Sequence, residues 1–250
     1  MARAIRQVLP NETFIYFGDT AHMPYGDKSR QLIQSYALHI TDFLLRKNCK
    51  AIVIACNTAS AAAYEELRDK YKGTVPVINV IDPMVERVIA DDTIHHVGII
   101  ATKTTIASGV YQEKLSRRKP SLKFSALATP LLASMIEEGF YNDSVSHAIL
   151  HEYLSLEELK GIDSLILACT HYPLIKKEIA DFFHGKTQIL DSAEVVAAKL
   201  KMILEKENLA SSARYVDDLF FVSDFTESFQ RSTQVFFGES VNLKKSDADV

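Results

Sequence analysis

Cysteine is scarce in this chain of 250 residues: Cys49, Cys56 and Cys169 are all it has. An odd, widely spaced set excludes a disulfide framework and a zinc knuckle, and reduced thiols fit a cytoplasmic protein. Positive charge is not in excess either. Lysine and arginine number 28 against 32 acidic residues, a net charge of −4, so no basic field points to nucleic acid. No apolar run approaches the roughly 20 residues that span a bilayer. The opening Met1 to Pro10 lacks the apolar core of a secretory signal. A glycine-rich nucleotide fingerprint, a P-loop and a Gly-x-Ser-x-Gly elbow are all absent. The chain is expected to use no organic cofactor and no metal, and to bind neither nucleic acid nor membrane.

What is present is globular material, 47% hydrophobic and 24% charged, enough for one large or two modest cores. Strand-like apolar runs alternate with amphipathic helical stretches. Strands are predicted at 13–17, 51–55, 75–81, 96–101, 124–128, 164–168, 188–191 and 219–222. Helices are predicted at 29–47, 60–71, from Pro83, and at 105–118, 144–159, 173–183 and 194–207. A short apolar helix is read at 131–136 and another around 227–236; the polar stretch 244–250 reads as frayed. Such alternation is the pattern of parallel α/β architecture with right-handed crossovers. Continuous apolar strands, without polar alternation, imply sheets covered on both faces.

Two short runs carry the chemistry. Ala55-Cys56-Asn57-Thr58 ends the strand at 51–55, and Ala168-Cys169-Thr170-His171 ends the strand at 164–168. Ligands of open α/β sheets bind at the carboxyl ends of strands. Backbone N–H groups at the helix N-termini that follow favour anions there, and the same field is expected to lower a thiol pKa. A single strand-end cysteine is most simply a small buried hydrophobe. Two in matched settings point to function, whereas Cys49 has neither setting and reads as structural. Two thiols facing one carbon from opposite sides permit inversion: one removes a proton and the other delivers one. We therefore expect two similar α/β lobes with the site in the cleft between them, residues 1–80 plus 189–250 forming the first and 81–188 the second.

Other residues are less specific on their own. His171 stands two residues after Cys169, within reach of the thiol or the substrate as a proton acceptor or electrostatic partner. Pro24-Tyr25-Gly26 is either an ordinary turn or a loop that offers a hydroxyl and backbone amides. Glu137 ends a short helix, as a solvated carboxylate or as a partner of His171. Thr102 to Thr105 follows a strand and opens a helix, a second plausible anion cradle.

Taken together, the runs Phe17 to Gly26, Ala55 to Ser60 and Leu167 to Leu174 resemble the glutamate racemases of the aspartate/glutamate racemase superfamily. Thr102 to Gly109, Pro130 to Gly139 and Asp191 to Glu194 fit the same pattern, in the same order. The resemblance implies two pseudosymmetric α/β domains, usually in a homodimer. It also implies cofactor-independent interconversion of L- and D-glutamate, with D-glutamate supplied to peptidoglycan. Cys56 and Cys169 would be the two acid/base thiols, and His171 and Glu137 would assist on the Cys169 side. Pro24, Tyr25, Gly26, Asn57, Thr58, Thr102, Thr105, Thr170 and His171 would line the substrate site. The alternatives within the resemblance are a racemase of aspartate or another amino acid, and a truncated binding relative without turnover. One part of the family pattern is unmatched, an initial strand with an Asp-Ser-Gly-x-Gly-Gly run whose aspartate assists the Cys56-side thiol. Met1 to Arg6 matches the end of the helix after it, so an in-frame segment of that type is expected upstream.

Overall fold

A computed structural model describes residues 1–141, 143–214, 216–225, 229, 230, 233, 237 and 241–246. The chain opens with helix α1 (Ala2–Val8) and strand β1 (Ile15–Gly18), then two short 3-10 turns through Thr20–His22 and Tyr25–Asp27. Helix α2 (Arg30–Arg46), strand β2 (Ile52–Ile54), helix α3 (Asn57–Lys70), strand β3 (Val77–Asn79) and helix α4 (Ile81–Ile89) follow. The next series is β4 (His96–Ala101), α5 (Lys103–Ala107), α6 (Val110–Arg118), β5 (Lys123–Ala128), α7 (Pro130–Glu137) and α8 (Ser144–Leu154). Then come β6 (Ser164–Ala168), α9 (Lys176–Phe182), β7 (Gln188–Leu190), α10 (Ser192–Lys206), β8 (Leu219–Val222) and β9 (Leu243–Lys245).

Among the described residues every strand pairing is parallel, and helices lie between most successive strands. The helix starts are written in short polar side chains: Ser29 accepts from the Leu32 N–H, Thr102 from Thr105 and Asp191 from Ala193. Asp143 and Ser146 form a reciprocal capping box at the start of α8.

Strands β5-β4-β6-β7 form one sheet, β2-β3 a second and β1-β8-β9 a third. The four-stranded sheet shows why its strands read as unbroken apolar runs. Val97, Ile99, Ala101, Ile166 and Ala168 face a core shared with Met84, Val88, Leu115, Val196 and Leu200 of α4, α6 and α10. Alternate residues Ile100, Leu165, Leu167 and Cys169 face a second core with Leu132, Ile136, Leu150 and Ile179 of α7, α8 and α9. This two-residue alternation buries both faces. A smaller core packs Ile52 and Val77 against Ala63, Leu67 and Tyr71 of α3.

Three elements depart from the sequence reading. The single helix at 105–118 is two, because Gly109 adopts φ +65° in the left-handed region and turns the chain between α5 and α6. The helix predicted from Ser60 begins three residues earlier, which makes Cys56 its N-cap. Leu243–Lys245, which overlaps the stretch 244–250 read as frayed, is an edge strand paired in parallel with β8; its exposed lysines gave no apolar signal and suit an open edge. The helix read at 227–236 lies mostly outside the described residues.

Candidate active site

Cys56 leaves the end of β2 with extended backbone (φ −100°, ψ 130°) and caps α3, its sulfur accepting the Ala59 N–H at 3.5 Å. The thiol is nevertheless pushed above its usual pKa. Burial is the largest cause; the Ala59 N–H pulls the other way, and the charge on Cys169 raises it further. The sequence-based expectation of a lowered pKa is therefore corrected for Cys56: desolvation outweighs the helix N-terminus.

Cys169 is buried at the end of β6, on the sheet face that packs against α7 and α9. Its sulfur lies 3.5 Å from His171 Nδ1, and His171 Nε2 lies 3.0 Å from Glu137 Oε1 at the end of α7. Burial alone would lower the His171 pKa, but the bonds to Cys169 and Glu137 more than reverse this and raise it to about 10. His171 thus sits between the Cys169 sulfur and the Glu137 carboxyl, an arrangement that favours its protonated form. Of the two settings open for Glu137 in the sequence, the structure shows the one beside His171.

At the start of α3 lies a ring of hydroxyls. Thr58 Oγ1 is 2.9 Å from Thr102 Oγ1 and 3.2 Å from Thr105 Oγ1, and the latter two are 3.0 Å apart. The ring joins the start of α3 to the start of α5. Gly26 closes over it: the Thr104 hydroxyl donates to the Gly26 carbonyl at 2.6 Å. A Cβ on Gly26 would sit 2.9 Å from Thr102 Cβ. Gly26→Ala should therefore lower stability by about 1–3 kcal/mol through overpacking, seen as a depressed melting temperature. Wild-type stability in that variant would refute the close approach.

Tyr25 anchors this loop by donating to Asp19 Oδ2 at 2.5 Å. Asp19 also accepts from Ser223 at 2.7 Å and meets His22 Nδ1 at 2.8 Å. Burial and the Asp19 bond push the Tyr25 phenol strongly up, and it feels the Cys56 charge. Tyr16 on β1 is raised to about 12 by burial and by Cys56. Of the residues singled out from sequence, Cys56, Asn57, Thr58, Thr102, Thr105, Tyr25 and Gly26 are thus linked around one sulfur, and Cys169, His171 and Glu137 around the other. Pro24 and Thr170 are exposed, and no hydrogen bond ties them to the rest. Asp19, Tyr16 and Tyr111, whose hydroxyl donates to Asn57 Oδ1 at 2.8 Å, were not found from sequence. A buried tyrosine hydroxyl carries no local signal of its distant partner. A surface hollow of about 490 Å³ lined by Lys50, Arg68, Lys72 and Glu207 contains none of these groups. Among the described residues no group of three or more His, Cys, Asp or Glu side chains is placed to hold a metal ion.

The model of the Asp/Glu/Hydantoin racemase family matches residues 1–200. The chain belongs to that family. A glutamate racemase of Syntrophus aciditrophicus is 38% identical over 242 residues, covering 96% of this chain and 89% of its own length. One from Aquifex aeolicus is 37% identical over 243 residues, covering 97% of this chain and 91% of its own. Among solved structures, glutamate racemase from Francisella tularensis in complex with D-glutamate superposes with a TM-score of 0.92 at 35% identity. That match covers 99% of this chain and 92% of that one. The mixed α/β fold with parallel sheets is thus the fold of this racemase family, and the protein is an amino-acid racemase. Among the described residues no helix is long and apolar enough to cross a membrane.

Proposed function

We propose that this racemase interconverts L- and D-glutamate by a two-thiol acid–base mechanism, with Cys56 and Cys169 acting on opposite faces of the α-carbon. The observation that carries the reading is the pair of strand-end cysteines, one capping α3 and the other beside the His171–Glu137 pair. Racemisation needs one thiolate and one thiol in each direction. Like charges on neighbouring groups resist double ionisation, so the pair holds one proton more easily than none. Burial favours the protonated form of Cys56. In one direction Cys169 removes the α-proton while Cys56 gives its own proton to the opposite face, and the reverse direction starts with the proton on Cys169 and not on Cys56.

An amino-acid α-proton is far less acidic than a thiol, so the carbanion-like transition state needs donors around the substrate carboxylates. The ring of Thr58, Thr102 and Thr105 supports that role, with Pro24, Tyr25, Gly26, Asn57, Thr170 and His171 completing the lining. Two lobes, 1–80 plus 189–250 and 81–188, would enclose the cleft, with the division falling within β7 (Gln188–Leu190). We read the enzyme as a cytoplasmic homodimer whose D-glutamate serves peptidoglycan synthesis, in keeping with the family resemblance.

The deciding experiment incubates the protein with L-glutamate, D-glutamate or L-aspartate in D2O, without added metal or pyridoxal phosphate. Circular dichroism should show glutamate approaching a racemic mixture from both sides, with deuterium incorporated at the α-carbon. Turnover of aspartate in preference to glutamate would move the substrate assignment. Inversion without solvent deuterium would exclude proton transfer through exchangeable thiols.

A further inference from the structure

Asn57 is buried, yet its side-chain Nδ2 has no hydrogen-bond partner. A buried donor left unpaired costs about 1–3 kcal/mol, so its persistence calls for an acceptor that arrives from outside. The other end of the amide is fixed. The buried hydroxyl of Tyr111, on α6, donates to Asn57 Oδ1 at 2.8 Å. Tyr111 belongs to the residues that follow β4, and Asn57 to those that follow β2, so the bond crosses between the two sheets that carry the thiols. The Tyr111 phenol is itself pushed well above its usual range, chiefly by burial. It therefore stays a neutral hydroxyl, able to donate, across the working pH range.

An amide has two ends and two orientations related by a flip about its last torsion. In the orientation observed, the Tyr111 hydroxyl donates to Oδ1 and leaves both Nδ2 protons for another acceptor. Asn57 is the first residue of α3, directly after Cys56, so its unpaired Nδ2 belongs to the start of that helix. We propose that Tyr111 is a positioning residue: it orients the Asn57 amide so that Nδ2 donates to an acceptor of the bound substrate, a carboxylate oxygen. This rests on the racemase reading of the site above. Tyr111 touches no substrate and acts only through Asn57.

The test uses the full chain with Tyr111→Phe, Asn57→Ala and the double variant. The bond is made to a group that binds ground and transition states alike, so its loss should appear in KM. Tyr111→Phe should raise KM for both glutamate enantiomers about tenfold, with kcat within about twofold and a melting temperature lowered by only a few degrees. In the Asn57→Ala background, Tyr111→Phe should add nothing, because its partner is gone. The second readout is the Asn57 side-chain amide in proton–nitrogen NMR spectra, whose two proton signals should shift or broaden in Tyr111→Phe. An unchanged KM in an active enzyme, additive effects in the double variant, or an unperturbed Asn57 amide would each overturn the assignment. Should the wild type not turn over glutamate, the functional reading fails by itself, and the NMR comparison still decides the positioning.

Discussion

Cys56→Ala and Cys169→Ala should each remove racemisation of glutamate, by roughly 10³–10⁴-fold in kcat/KM, the upper range for losing a positioned acid–base group. Cys49→Ala should leave turnover unchanged, since that side chain packs beside the small core under α2 and α3. The losses must be equal in the two directions. Enantiomers have the same free energy, so the ratio of kcat/KM for L- and D-glutamate is fixed at unity whatever is mutated; only kcat and KM separately can diverge. Each single variant keeps one thiol. It should still exchange the α-proton of one enantiomer with deuterium while failing to invert it. Polarimetry and NMR of the recovered substrate read both effects. Turnover within tenfold of wild type in either cysteine variant would eliminate a mechanism that needs two thiols.

Glu137→Gln should have the second largest effect, through His171. The carboxylate sits 3.0 Å from Nε2 and helps raise the histidine to about 10. Its removal lets the imidazolium lose its proton at lower pH. Activity of the wild type should hold through neutral pH and fall as pH rises through about 10. In Glu137→Gln that alkaline fall should move toward the ordinary histidine range, with kcat/KM near pH 8 reduced about 10²-fold. Stability follows the same sign. A histidine with a higher pKa folded than unfolded contributes fully below its unfolded value near 6.5 and loses that contribution as pH rises through about 10. The melting temperature of Glu137→Gln should therefore lie about 3–10 °C below wild type near pH 6, as for losing a charged hydrogen bond in a chain of this size. The gap should narrow toward pH 10. A pH profile and melting gap independent of pH would show that Glu137 does not act on His171.

Both thiols were legible because each is the last element of a local pattern: an apolar run, a cysteine, then short polar residues. The strands at 96–101 and 164–168 were legible for the same reason, since burial on both faces leaves no polar interruption. What failed depends on single dihedrals or distant partners. The gap between α5 and α6 is invisible in the helical periodicity, which continues across Gly109. Edge strand β9 has lysines where a core strand would have valine. The raised pKa of Cys56 could not be read locally, because the helix N-terminus is written in residues 57–59, while the burial that overrides it comes from the whole fold. The bond from Tyr111 to Asn57 joins positions 54 residues apart, and nothing near either of them announces the other.

The ring formed by Thr58, Thr102 and Thr105 has a property that no single hydroxyl has. Each oxygen can donate to one neighbour and accept from the other, so the protons circulate in one of two senses of equal connectivity. Neither sense leaves a buried hydroxyl unsatisfied. An arriving carboxylate brings only acceptors and breaks this symmetry. Thr102, the least buried of the three, can turn its proton outward by rotation about one C–O bond. The closed ring then becomes an open chain of two bonds running toward the ligand, with its direction fixed. The ring thus holds a donor whose release requires no movement of the backbone, and whose return closes the ring again.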